Sequence, residues 1–264
     1  MTTFFQTLCV AFGMFSAIPV PVFEWNAKNM RYALTALPLV GAVCGGALAA
    51  WIGLCRWLGL GGLLPAAGAC ALPVLITGGF HLDGLADVSD ALASYGDQDR
   101  RQEILKDSHV GAFALIRVCT YFVLYLGLCS ALAFTPRQLW LLGFGYMLER
   151  ALGGFAITAL PLAPHTGLAR TFADAAHKRR VGWARGLTAG LLAALRVAGG
   201  LCTGLLMVLA SVLCFFQLRR VAVRDFGGHS GDLGGWFIQR CELALLASLV
   251  LGQALAAKGV TGWF

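Results

Sequence analysis

Charge is what this sequence has least of: 12% of its 264 residues are Asp, Glu, Lys or Arg, against about 25% in a soluble domain. Such a chain cannot clothe a water-exposed surface, and with 58% hydrophobic residues it reads as a polytopic membrane protein. Paired cysteine motifs are missing too. None of the nine cysteines forms a CxxC pair or a Cys/His cluster, and most lie in apolar runs. That excludes a disulfide scaffold and a zinc site and leaves small buried hydrophobes. No Lys or Arg precedes Lys28, so a cleaved signal peptide, which needs a basic start, is not expected. Internal repeats are absent. The net charge of +7 does not point to nucleic acid, because the basic residues gather in loops between apolar segments, beside a lipid bilayer.

What is present is a series of apolar segments of spanning length, about 20 residues each. They fall near 33–57, 63–80, 111–134, 139–161, 182–219 and 236–257. The fifth is too long for one crossing, and Arg196 with Gly199-Gly200 predicts a hairpin inside it. With that hairpin the loops 21–32, 81–110, 162–181 and 220–235 share one side. They hold Lys28, Arg31, Arg100, Arg101, Lys106, Arg170, Lys178, Arg179, Arg180, Arg219, Arg220 and Arg224, leaving little beyond Arg137 and Lys258 opposite. The positive-inside bias makes the first side cytoplasmic. Thr3–Ile18 is apolar but short and ends at Pro19-Val20-Pro21, as an interfacial or re-entrant helix would. The expected fold is an all-α membrane bundle of about seven spans in one domain, 1–264.

Carboxylates are few and unevenly placed. Of thirteen, seven fall between Asp83 and Asp107: Asp83, Asp87, Asp90, Asp97, Asp99, Glu103 and Asp107. On a helix, Asp83, Asp87 and Asp90 share one face. Three like charges on one stripe repel, and a divalent cation supplies the missing partner; oxygen ligands without cysteine favour Mg2+, or Mn2+, over zinc. Glu103 and Asp107 repeat the i, i+4 spacing and could form a second acidic face across a cleft. Asp97 and Asp99 flank a Gly-Asp-Gln-Asp turn and read as turn residues. His81 and His109 bracket the segment as candidate bases or supporting donors, while His165 and His177 lie in a basic loop and read as solvated.

A second constellation is Asp225-Phe-Gly227-Gly228-His229-Ser230-Gly231-Asp232, followed by a helical pattern and preceded by Arg219, Arg220 and Arg224. Glycines let backbone amides approach phosphate oxygens, and a helix N-terminus favours anions. Gly228, Gly231, Asp232 and Arg224 are therefore candidate phosphate-site residues, with an ordinary connector as the plain alternative. Glu149-Arg150 reads as a self-neutralising pair within a span. Glu242 lies inside an apolar segment and is expected to face a polar interior instead of lipid.

The run Gly78-Gly-Phe-His-Leu-Asp83-Gly-Leu-Ala-Asp87-Val-Ser-Asp90 resembles the signature of the cobalamin synthase (adenosylcobinamide-GDP ribazoletransferase) family. So does Glu103-Ile-Leu-Lys-Asp107-Ser-His109-Val-Gly-Ala-Phe113, and the 227–232 loop and Ile18–Pro21 are similar to its shorter motifs. The resemblance covers nearly the whole chain. It implies a magnesium-dependent enzyme of the bacterial cytoplasmic (inner) membrane. That enzyme joins adenosylcobinamide-GDP to α-ribazole or its 5′-phosphate, releases GMP, and completes the nucleotide loop of cobalamin. A homo-oligomer or an association with other cobalamin-assembly enzymes is compatible with it. On this basis Asp83, Asp87 and Asp90 are the candidate metal ligands and Glu103, Asp107 and His109 the candidate catalytic groups.

Two rivals share the chemistry. CDP-alcohol transferases carry an Asp-Gly-x-x-Ala-Arg pattern, whereas Asp83-Gly84 here is followed by Ala86-Asp87 without the Arg. A cation transporter would set its acids near the bilayer midplane, whereas most of these fall in a long segment at a membrane edge.

Overall fold

The computed structural model describes residues 3–24, 26, 29–164, 171 and 178–259. Lys28, His165, Arg170 and His177 lie outside the described residues, as do the side chains of Arg31 and of residues 178–185. The described chain is helical: α1 Thr3–Phe15, α2 Ala33–Trp57, α3 Leu64–Thr77, α4 Phe80–Ala93 and α5 Gln98–Ile104, then α6 Ala112–Ser130, α7 Pro136–Ala159, α8 Lys178–Ala198, α9 Leu205–Phe226 and α10 Gly231–Ala257. The helix starts follow local chemistry. Thr135 and Gln138 form a capping box with Pro136 at the first turn of α7, and the Ser230 side chain accepts from the Leu233 amide at the start of α10.

Among the described residues, four helices are long and apolar enough to cross a bilayer: Ala33–Trp57, Ala112–Ser130, Cys202–Phe226 and Gly231–Ala257. At the centre stands α7, buried over most of its length beyond the exposed Trp140, with α2, α8 and α10 packed on it. Its contact with α2 is antiparallel and close, with Gly41 against the Tyr146 backbone and Gly45 against Gly143. Small residues give membrane helices this approach, since apolar burial alone does not draw them together in lipid.

Hydrogen bonds sort the loops into two ends. At the far end Arg56 donates to the Phe134 carbonyl (2.7 Å), Gln253 to Ala131 (2.8 Å) and Arg137 to Ala198 (2.8 Å). At the near end Ala163 N–H donates to the His229 carbonyl (3.0 Å), and Arg101 pairs with Asp225 (2.5 Å). The 182–219 segment does divide. After Ala198 the chain turns at Gly200, whose φ is 68°, and α9 returns to the near end at Phe226.

Two expectations need correction. The 63–80 segment is not one straight spanning helix: α3 has 14 residues, about 21 Å against a hydrocarbon core of about 30 Å. It breaks at Gly78-Gly79, and α4 leaves at 92°. Both glycines are left-handed, φ 67° and 78°, a conformation that carries little penalty without a Cβ. The charge bias between the ends is also weaker than expected, because Arg56 and Arg196 join Arg137 at the far end, Arg196 donating to the Gly200 carbonyl (3.1 Å).

Candidate active site

The near end is organised by α4 lying across the start of α10. Gly84 faces the Asp232 carbonyl so closely that a Cβ there would sit 2.5 Å from it, and Gly235 faces the His81 backbone. This crossing sets Asp83 and Asp87 beside Asp232. The charges acting on Asp87 are those of Asp83, Asp232 and Asp90, all acidic. Burial, then these neighbours in that order, pushes the Asp87 carboxyl up to about 6. A group of carboxylates that raise one another's proton affinity is a donor set suited to a hard divalent cation. Among the described residues, however, no three His, Cys, Asp or Glu side chains already converge on one point.

Asp90 has a further job. Its two oxygens accept from the amides of Gly111 (2.6 Å) and Ala114 (2.8 Å), capping α6 from another helix. That bond draws the 105–111 loop to the acidic group. Two residues before Gly111, His109 Nδ1 lies 2.6 Å from Asp107 Oδ1, and the His109 amide bonds the same oxygen (3.0 Å). Hydrogen bonding from His109 holds the Asp107 carboxyl below its usual range. The pair is exposed, and Nε2 is left outward.

Other expected residues fall differently. Glu103 and Asp107 do not form a second acidic face. Helix α5 ends at Ile104, and the chain turns through i, i+3 bonds from Lys106 to Glu103 and from Asp107 to Ile104. Glu103 pairs instead with Arg100 (2.8 Å) on an exposed surface. Asp97 caps α5, accepting from the Arg100 amide. His81 is buried, with Nδ1 unpartnered, and burial followed by nearby Arg150 pushes its pKa down to about 3, so it stays neutral.

The glycine-rich loop is pinned, not open. Gly228 N–H donates to Ala222 (2.8 Å) and His229 N–H to Pro161 (2.7 Å), so neither amide is free for a phosphate. A Cβ on Gly228 would strike Leu162 and Ala163, so this glycine serves a close chain crossing. Gly231, at the first position of α10, has open space around it, and Arg224 is exposed, with Nε 3.8 Å from Asp225. Arg101 bonds Asp225, while Gln98 and Gln102 reach the Arg224 and Phe226 carbonyls, fastening α5 to α9. Nothing in the sequence pairs residues so far apart, and its pattern places Arg101 only among the basic residues of the 81–110 loop.

Deeper, Glu149 and Arg150 are fully buried and bonded at 2.5 Å, as the self-neutralising reading expects. Glu242 also faces the interior, beside both of them and near Tyr121 and Tyr125.

A family profile described as cobalamin-5-phosphate synthase matches residues 7–250. The chain is 38% identical over 263 residues to the adenosylcobinamide-GDP ribazoletransferase of Lachnoclostridium phytofermentans, covering 98% of each. It is 34% identical over 231 residues to the protein of that name from Pseudomonas syringae pv. syringae, covering 86% of this chain and 90% of that one. With the one from Geobacillus kaustophilus it shares 32% over 255 residues, 89% and 92% of the two chains. No solved structure matches.

Proposed function

The chain belongs to the cobalamin-5-phosphate synthase family, and from that premise we propose how its near end carries out ribazole transfer to adenosylcobinamide-GDP. It is a membrane transferase of cobalamin biosynthesis. The reaction joins a ribose hydroxyl of α-ribazole, or of its 5′-phosphate, to the phosphorus that bears cobinamide. The P–O bond to GMP breaks, and GMP leaves with its electron pair.

One observation carries the residue assignment: Asp83, Asp87, Asp90 and Asp232 gather where α4 crosses α10, and every charge pressing on Asp87 is negative. Asp83, Asp87 and Asp232 would hold Mg2+, or Mn2+, together with Asp90, whose oxygens already serve the α6 amides. The ion would supply charge neutralisation on the diphosphate and on the departing phosphate. Asp232 is thus moved from the phosphate-contacting residues to the cation ligands, since a carboxylate repels a phosphate unless metal intervenes. His109, oriented by Asp107 through Nδ1, takes the hydroxyl proton at Nε2. Glu103, tied to Arg100, has less support. Arg224 and the open start of α10 at Gly231 hold remaining phosphate charge. The near end, which carries most of the loop arginines, faces the cytoplasm.

Mass-spectrometric detection of GMP from adenosylcobinamide-GDP and α-ribazole tests the function. Release is expected, lost with EDTA and restored by Mg2+; release that persists in EDTA sinks the cation assignment. Asp83→Asn and Asp87→Asn should each lower turnover by at least about a hundredfold with membrane insertion intact.

A further inference from the structure

A cavity of about 440 Å³ lies on the other side of α4 from the acidic face. Leu85, Ser89 and Leu92 line it, roughly half a helical turn away from Asp83, Asp87 and Asp90. Its walls are α6 and α9, with α10 as the floor, so it is a slot in the flank of the bundle.

Two arginines stand in this slot, Arg117 on α6 and Arg240 on α10, close enough to repel each other. Among the described residues neither pairs with a carboxylate. Arg240 donates to Gln217 (3.1 Å) and lies over the Trp236 ring, 4.9 Å from its centroid. Phe113 and Tyr121 complete a largely apolar lining. Two like charges without a counter-ion, at the side of a helix bundle that resides in lipid, leave an electrostatic demand that the chain itself does not meet.

Depth identifies the missing partner. Counting from the near end, Arg117 is five residues into α6 and Arg240 nine into α10, about 7 and 13 Å along their axes. Side chains on both helices lean toward their N-termini, here the near end. Arg240 does so visibly, over the ring of the residue four positions earlier. The two guanidinium groups therefore reach toward headgroup level, while the apolar lining continues below them.

We propose that this slot binds the headgroup phosphate of an anionic phospholipid, with Arg117 and Arg240 sharing the phosphate oxygens and the acyl chains running down between α6 and α9. Guanidinium donors in pairs match phosphate geometry, and a net negative headgroup answers two positive charges where a zwitterion would not. The bound lipid braces the back of α4, whose other face carries the carboxylates. The inference rests on the membrane location of the chain and not on its transfer chemistry.

Native mass spectrometry of the full chain released from phosphatidylcholine nanodiscs containing some phosphatidylglycerol tests it. One phosphatidylglycerol retained per chain is expected, reduced at least about tenfold in Arg117→Gln/Arg240→Gln. Equal retention in that variant overturns the site. Should the double variant not fold, Thr120→Trp, which fills the slot and keeps both charges, is expected to give the same loss, and unchanged retention overturns the proposal equally. Parallel arms add inorganic phosphate or GMP. Lipid that stays bound supports the proposal, whereas displacement by either at millimolar concentration assigns the arginines to a soluble phosphate and overturns it. GMP release by the variants, assayed in lipid-free detergent, is expected within about twofold of the parent, so the outcome is separable from that of the proposed reaction.

Discussion

Asp90 is a carboxylate with two backbone amides already in hand, and that distinguishes it from its neighbours on α4. Asp90→Ala should remove the cap of α6 and destabilise the protein by about 1–2 kcal/mol, read as a lowered unfolding midpoint. Asp90→Asn, which keeps one acceptor oxygen, should lose less. A residue that served only a cation would show neither difference. Asp87 makes the complementary case. Its carboxyl titrates near 6, raised by burial and by Asp83, Asp232 and Asp90, so a proton competes with the cation below that pH and not above it. The Mg2+ concentration for half-maximal GMP release should therefore be constant above pH 7. It should rise by up to about tenfold per pH unit below 6, and Asp87→Asn, where residual activity can be measured, should not show this rise. The shared face of Asp83, Asp87 and Asp90 was legible in the sequence because helical spacing alone creates it. That Asp232 joins them was not, since more than 140 residues and a helix crossing lie between.

At the scale of elements, the near end depends on two glycine contacts. The Gly78-Gly79 pair turns α4 across the bundle end, and Gly84 lets it lie against α10. Gly84→Ala places a methyl 2.5 Å from the Asp232 carbonyl, and the helices must separate. Activity should fall by at least about tenfold through displaced carboxylates, and stability by about 1–3 kcal/mol from overpacking. A control Gly46→Ala, where a Cβ meets nothing within 4 Å, should leave both unchanged. The sequence shows glycine at these positions but not which contact each serves. Gly228 makes the point: its setting suggests a phosphate loop, whereas its amide bonds Ala222 and its missing Cβ admits the 162–163 backbone.

Across the whole molecule, the buried Glu149, Arg150 and Glu242 join α7 to α10 at the bundle centre. Removing Arg150 leaves two buried carboxylates, Glu149 and Glu242, facing each other. Arg150→Met should destabilise the protein by about 3–5 kcal/mol, measured as loss of folded, monodisperse material on heating, and Glu242→Gln in the same background should recover part of it.

The sequence by itself determined the membrane bundle, the hairpin near Gly199, the acidic face of α4 and the family, because apolar length, charge scarcity and helical spacing are local properties. Tertiary structure alone decided that α3 and α4 break at 92°, that Asp232 meets Asp83 and Asp87, that Asp90 caps α6, and that Glu103 stands apart with Arg100. Each of these depends on which helix lies against which, and chain-distant partners leave no periodic trace in a linear sequence.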